Sequence, residues 1–236
     1  MDIKGFVDVS FVDWDSKISA VIFLPNCNFR CPFCHNGNLV SNPEKSETIP
    51  FEQIENQLKR HKNWIDGVCI TGGEPTLHAD LPELCSKIKK MGFQVKLDTN
   101  GTNPTLLKGL LKKGLIDYVA MDIKAPLTVQ KYSKACGVDV KKLLGNVKES
   151  IGTLMESSID YEFRTTVVPT IHDIEDIRQI CSSLVGCRKY VLQKFDFSLG
   201  KETLNPEFMK LKTFTDEEMQ NVLVAAQNLI PHTKLR

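Results

Sequence analysis

A strand-like apolar stretch followed by a helical pattern recurs along this 236-residue chain, and that alternation limits the fold more than any other feature. The apolar stretches fall at 67–71, 93–98, 117–122, 161–168 and 189–195. Between them, apolar residues at three- and four-residue spacing predict helices over 81–91, 104–113, 139–157 and 173–185. A last helix, 215–229, places Met219, Val222, Leu223, Ala226 and Leu229 on one face. Met91-Gly92 and Lys113-Gly114 put glycine where helices stop. Upstream, 5–12 alternates as an edge strand would, and 18–24 reads as a buried strand. A helix follows at 51–58, with Pro50 ahead of Phe51, Ile54 and Leu58. Strands alternating with helices require a parallel sheet with crossover helices. Six such units are fewer than the eight of a closed barrel. The expectation is therefore an α/β fold with a mostly parallel open sheet, either a partial (β/α)6 TIM-like barrel or a doubly wound sheet. No linker or low-complexity run interrupts the pattern, so one domain over 1–236 is expected, with 1–13 as an N-terminal edge strand and 14–236 as the core.

Directly after the strand at 18–24 comes Cys27-Asn28-Phe29-Arg30-Cys31-Pro32-Phe33-Cys34-His35-Asn36. Three thiols at C-x3-C-x2-C spacing on one short loop can reach three corners of a cubane iron–sulfur cluster. Such clusters usually take four cysteines, and no fourth lies in register, so one iron would have no protein ligand. An open coordination position is what a metal site needs if something other than protein is to bind there.

Composition narrows the field further. Thirty Lys and Arg against 29 Asp and Glu give no electrostatic footprint for nucleic acid. No apolar stretch approaches the ~20 residues of a membrane span, and Met1-Asp2-Ile3-Lys4 does not begin a secretory signal. The cytoplasm is the expected location. Eight cysteines in a chain of this size point to metal or catalytic use more than to disulfides. Cys69 and Cys85 sit in apolar patterns and read as small buried hydrophobes. Cys136, Cys181 and Cys187 are scattered and form no ligand spacing.

In both candidate architectures ligands collect at the carboxyl ends of the strands. The chain places Thr71-Gly72-Gly73-Glu74-Pro75, Asp98-Thr99-Asn100-Gly101 and Asp122-Ile123-Lys124 at three such ends, with Arg164 and Gln193 in the last two strands. Each piece has a plainer reading by itself. Gly72-Gly73-Glu74-Pro75 also fits a strand-to-helix turn, although two glycines let backbone approach a ligand closely. Asp98-Thr99-Asn100-Gly101 also fits turn chemistry. Asp122 and Lys124, two apart on a strand, face one side and also fit a surface ion pair. Arg164 and Gln193 are weaker pocket candidates. One shared site accounts for all of these positions together.

The cysteine loop, with Phe33 before its last cysteine, resembles the signature of the radical S-adenosylmethionine enzymes, and Gly72-Gly73-Glu74-Pro75 resembles that superfamily's loop for the methionine amino group. Cys31-Pro32-Phe33-Cys34-His35-Asn36, Leu97-Asp98-Thr99-Asn100-Gly101 and Met121-Asp122-Ile123-Lys124 resemble the glycyl-radical-enzyme activases. With the runs at 161–169 and 190–195, the chain is most similar to activating proteins of anaerobic ribonucleoside-triphosphate reductase, over roughly residues 5–230. The resemblance implies a [4Fe-4S] cluster on Cys27, Cys31 and Cys34, with S-adenosyl-L-methionine chelating the unique iron. It implies reductive cleavage of that cofactor to a 5′-deoxyadenosyl radical, which takes hydrogen from a glycine of a large partner enzyme. Presenting that glycyl loop favours the partial barrel.

By the same resemblance Asp98, Thr99 and Asp122 help form a monovalent-cation site beside the methionine carboxylate. Lys124 pairs with that carboxylate or the ribose, and Phe33 and His35 border the nucleoside. Gly72, Gly73, Glu74, Pro75 and Asn100 complete the expected cofactor contacts. His172 stands near the position where some activases place a nucleoside-contacting histidine, but out of register, and reads as a surface histidine. His61 and His232 read as solvent-facing, and His78 is left open. No further C-x2-C-x2-C run occurs, so a single cluster is expected, reduced by a small electron carrier such as flavodoxin or ferredoxin. Two other readings stand beside this one. A small-molecule radical enzyme similar to 7-carboxy-7-deazaguanine synthase would use Arg164 and Gln193 for substrate. A non-catalytic zinc module would use Cys27, Cys31, Cys34 and the awkwardly adjacent His35, where structural zinc normally draws on separated ligand pairs.

Overall fold

The computed structural model describes residues 1–196 and 203–236. Its strands, in chain order, are β1 (Gly5–Ser10), β2 (Ser19–Leu24), β3 (Gly67–Gly72), β4 (Gln94–Thr99), β5 (Tyr118–Asp122), β6 (Asp160–Val167), β7 (Tyr190–Lys194) and β8 (Lys234–Leu235). The helices are α1 (Gly37–Ser41), α2 (Phe51–Arg60), α3 (Leu81–Lys90), α4 (Pro104–Lys112), α5 (Val129–Cys136), α6 (Leu144–Glu156), α7 (Ile174–Ser183) and α8 (Asp216–Gln227). The sheet order is β1-β2-β3-β4-β5-β6-β7-β8. A doubly wound sheet reverses its order at a switch point; this one never does. Sequential winding is the order of β/α barrels, with β1 and β8 left as edges, so the expected open α/β sheet is found.

The chain groups into two compact units, each discontinuous in sequence. The first comprises Met1–Asn28, Asn38–Thr99 and Thr105–Ala120. In it β1 runs antiparallel to β2, Gly5 opposite Phe23, and β2 runs parallel to β3, from Ser19 opposite Gly67 to Leu24 opposite Gly72. β3 then runs parallel to β4, Gly67 opposite Gln94 and Ile70 opposite Leu97. Ala20, Val21, Ile22, Leu24, Val68, Cys69, Ile70, Val95 and Leu97 are all sealed from solvent. Parallel strands covered on both faces need such near-continuous apolar runs, and each large aliphatic chain so buried contributes about 1.5–3 kcal/mol. α3 turns Leu81, Leu84, Cys85 and Ile88 inward, the three- and four-residue spacing of a core-facing helix.

The second unit comprises Phe29–Gly37, Asn100–Pro104 and Met121–Arg236. Ile123 N donates to Arg164 O at 2.7 Å, carrying the ladder from β5 to β6. β6 runs parallel to β7, Phe163 opposite Tyr190 and Val167 opposite Lys194. β7 in turn pairs with β8. α7 opens with a capping box in which the Asp173 and Asp176 carboxylates each accept the other's backbone N–H.

Several elements differ from the sequence expectation. The helix expected over 139–157 begins only at Leu144, and α5 lies ahead of it. β1 stops at Ser10, whose hydroxyl donates to Asp13, so Phe11 and Val12, expected inside the strand, are 73% and 78% exposed. Two residues of β8 carry no periodicity to read.

Candidate functional site

In the first unit, the end of β3 is laid directly on the root of the cysteine loop. Gly73 N donates to Leu24 O at 2.8 Å and Glu74 N to Asn26 O at 2.7 Å. Gly72 holds φ +125°, and a Cβ on Gly73 would stand 1.8 Å from Asn26 O. The glycines therefore serve the approach of one main chain to another. His78 closes the same root from the side, its Nε2 bonding Pro25 O at 2.8 Å, which makes it a structural histidine.

Glu74 is 1% exposed. Its Oε1 accepts from Thr76 N at 3.0 Å, Thr76 Oγ1 at 2.6 Å and Thr99 Oγ1 at 2.7 Å. Pro75 begins a short 3-10 turn that Glu74 caps. Thus Glu74 and Thr99, 25 residues apart in sequence, meet as strand-end neighbours. On β4, Lys96 is buried to 1% exposure, its ammonium 2.5 Å from Asp98 Oδ1 and 3.6 Å from Cys69 Sγ. A lysine on that face of a covered strand requires a counter-charge, and Asp98, two residues on, supplies it. Cys27 also belongs to this unit and is half-buried.

Cys31 and Cys34 belong to the second unit, where backbone bonds hold the loop at several points. Arg30 N donates to Cys136 O at 2.8 Å, Leu204 N to Cys34 O at 2.9 Å, and Asn205 N to Pro32 O at 2.9 Å. Gly137, with φ +66°, ends α5 where a Cβ would stand 2.1 Å from Arg30 O. Phe29 packs edge-on against Tyr132, Phe33 edge-on against Phe195, and His35 stacks on Phe195 at 5.6 Å. Phe33 and His35 were expected together; Phe195, which gathers them, was legible only as a strand residue.

The thiols separate by environment. Burial pushes Cys85 and Cys181 up to about 12 and Cys187 to about 11, so they remain thiols. Cys31 shifts the other way. A hydrogen bond with the Cys136 thiol lowers it against burial, helped by the Lys124 charge. Burial raises Cys34. The Cys31 shift is toward the thiolate, which is the form that binds metals. Cys136, which no spacing pointed to, is its partner.

Asp122 stands at the end of β5 with both oxygens engaged, Oδ1 by Arg164 Nε at 2.9 Å and Oδ2 by Lys124 Nζ at 2.9 Å. Burial would raise its carboxyl, but Arg164 and then Lys124 hold it well below the usual carboxylate range. Burial would lower Lys124, but Asp122 holds it above its ordinary value. All three are charged at neutral pH, and the group carries one net positive charge. Arg164 is thereby a partner of Asp122, while Gln193 is half-buried on β7 opposite Thr166.

His172 is not at the surface. It is 5% exposed, Nδ1 accepting from Val168 N at 3.0 Å and Nε2 donating to Lys124 O at 2.9 Å. Burial lowers its pKa, so it is neutral and braces the Lys124 backbone. Asn100 uses its Oδ1 within its own turn, accepting from Thr102 N at 3.0 Å and Thr102 Oγ1 at 2.7 Å.

Among the described residues, no three His, Cys, Asp or Glu side chains converge as ligands of one ion would. A cubane places each thiolate on a different iron, so convergence on one point is not its requirement. In the second unit Cys31 and Cys34 stand on a loop held by backbone bonds, and the positive Asp122–Lys124–Arg164 group suits a carboxylate ligand. No helix among the described residues is long and apolar enough to cross a membrane.

A sequentially wound α/β sheet with polar loops after its strands belongs to the class of folds in which ligands collect at the carboxyl ends of the strands. The family model for the radical SAM superfamily matches residues 21–184, and the chain belongs to that superfamily. Membership implies a [4Fe-4S] cluster and S-adenosylmethionine. A candidate glycyl-radical enzyme activating enzyme of Methanocaldococcus jannaschii is 35% identical over 235 residues, covering 99% of this chain and 95% of that one. A second protein of that organism bearing the same description is 30% identical over 178 residues, covering 75% of this chain and 66% of its own. Among solved structures, SuiB of Streptococcus suis bound to the precursor peptide SuiA superposes with a TM-score of 0.70 at 16% identity. That match covers 92% of this chain and 48% of SuiB, and it speaks for the fold alone.

Proposed function

We propose that this radical SAM enzyme is a glycyl-radical-enzyme activase, and that its partner is an anaerobic ribonucleoside-triphosphate reductase. The observation that carries the reading is the cysteine loop, with three thiols at C-x3-C-x2-C spacing, and with main-chain bonds from Leu204 N to Cys34 O and from Asn205 N to Pro32 O that hold its Cys31–Cys34 part. The likeness to the Methanocaldococcus protein over nearly both whole chains supports activation as the reaction. In this reading Cys27, Cys31 and Cys34 hold the cluster, reduced from outside by flavodoxin or ferredoxin. Glu74, oriented by Thr76 and Thr99, receives the methionine amino group beside Gly72, Gly73 and Pro75. Lys124 receives the carboxylate, while Phe33, His35 and Phe195 exclude water from the nucleoside. Once bound, the cluster and cofactor would supply one-electron radical chemistry directed at a glycine of the partner.

The test is anaerobic reconstitution, reduction and mixing with a candidate reductase. A glycyl doublet by electron paramagnetic resonance, with deoxyadenosine formed in step, is the expected result. Deoxyadenosine without any protein radical across candidate partners would mean a small-molecule substrate. Cys31→Ala is expected to abolish deoxyadenosine formation, by more than about a thousandfold, with the circular dichroism spectrum unchanged.

A further inference from the structure

The carboxylates that the activase resemblance assigns to a monovalent cation are already matched by cations of the chain itself. Asp98 Oδ1 holds the Lys96 ammonium, which is buried and has no route to solvent as an alternative. Asp122 holds Arg164 on one oxygen and Lys124 on the other. Thr99 donates its hydroxyl proton to Glu74. A sodium or potassium ion binds where oxygen lone pairs carry uncompensated negative charge. Bringing one to about 4 Å from a resident cation costs about a thousandfold in affinity at an effective dielectric of 20. At Asp122 it would be the third cation on one carboxylate.

We infer that this chain uses no monovalent cation at Asp98 or Asp122, and that Lys96 and Arg164 carry that positive charge as permanent side chains. At the end of β5 the ligand carboxylate then meets the Lys124 and Arg164 cations instead of a metal ion. For the identity of that ligand the inference rests on the S-adenosylmethionine reading above; for the charge balance it rests only on the ion pairs.

Two measurements test it. The first is equilibrium dialysis of S-adenosylmethionine onto the reconstituted protein at one ionic strength, in sodium, potassium and tetramethylammonium chloride. Dissociation constants within twofold are expected. A tenfold loss in tetramethylammonium, restored by sodium or potassium, would overturn the inference. The second is the 23Na resonance in the presence of the cluster-free chain, which needs no cofactor. Line broadening reversed by potassium would overturn it as well, and none is expected. Lys96→Met, which removes the charge and keeps the length, should acquire the tenfold dependence on sodium or potassium. A folded variant that stays indifferent would remove Lys96 from the inference, and the wild-type measurements decide if that variant does not fold. Failure to bind S-adenosylmethionine in every salt would instead sink the functional reading, with the sodium resonance still deciding this one.

Discussion

Two carboxylates at strand ends, Glu74 after β3 and Asp122 ending β5, are held by different kinds of partner. Hydroxyls and an amide donate to Glu74 and fix its orientation. Two full cations hold Asp122, and the group ends up positive. Neutral donors leave a carboxylate able to bind a cationic group, whereas paired cations convert a carboxylate into scaffolding for an anion site. Two acidic residues that look equivalent in the sequence are therefore held by different chemistry.

The contrast is open to attack by substitution. Asp122→Asn should have the largest effect, because it leaves Arg164 and Lys124 facing each other without a counter-charge. A loss of about 2–4 kcal/mol is expected for this partly buried group, read as a fall of roughly 5–15 °C in the melting midpoint. Because the folded carboxyl lies below its unfolded value near 4, its contribution is complete above that value and disappears as pH falls through the folded one. The gap between wild type and Asp122→Asn should therefore narrow below about pH 4. An undiminished gap there would show that charge is not the cause. Glu74→Gln keeps shape and acceptor but removes charge, so the melting midpoint should barely move while S-adenosylmethionine affinity falls roughly 10- to 100-fold. Destabilisation as large as that of Asp122→Asn would erase the distinction. Lys124→Ala leaves Arg164 on Asp122, and should weaken the cofactor about tenfold with iron content unchanged. Equal loss of iron would make Lys124 a structural residue.

Much of this was readable from local pattern. The buried runs of β2 to β7 announced themselves, and Glu74, Thr99 and Asp122 stood at strand ends because parallel winding puts them there. What escaped the sequence reading depended on register between distant segments. Nothing near Asp122 in the sequence says that Arg164, 42 residues on, will lie across from it. Nothing in the sequence singles out Lys96, whose burial follows from its place between Val95 and Leu97 on a covered strand. His172 read as exposed because its partners, Val168 N and Lys124 O, are backbone atoms that leave no side-chain signature. Phe195 and Cys136 gained meaning only from the cysteine-loop residues folded against them.

The absence of room at Gly73 ties two loops into one mechanical body. With Asn26 O where any side chain would begin, the peptide carrying Glu74 and the peptide leading to Cys27 touch main chain to main chain. No flexible group lies between them to absorb a displacement. A displacement of the glutamate peptide therefore passes directly to the peptide ahead of Cys27, so the postures of the two loops change together.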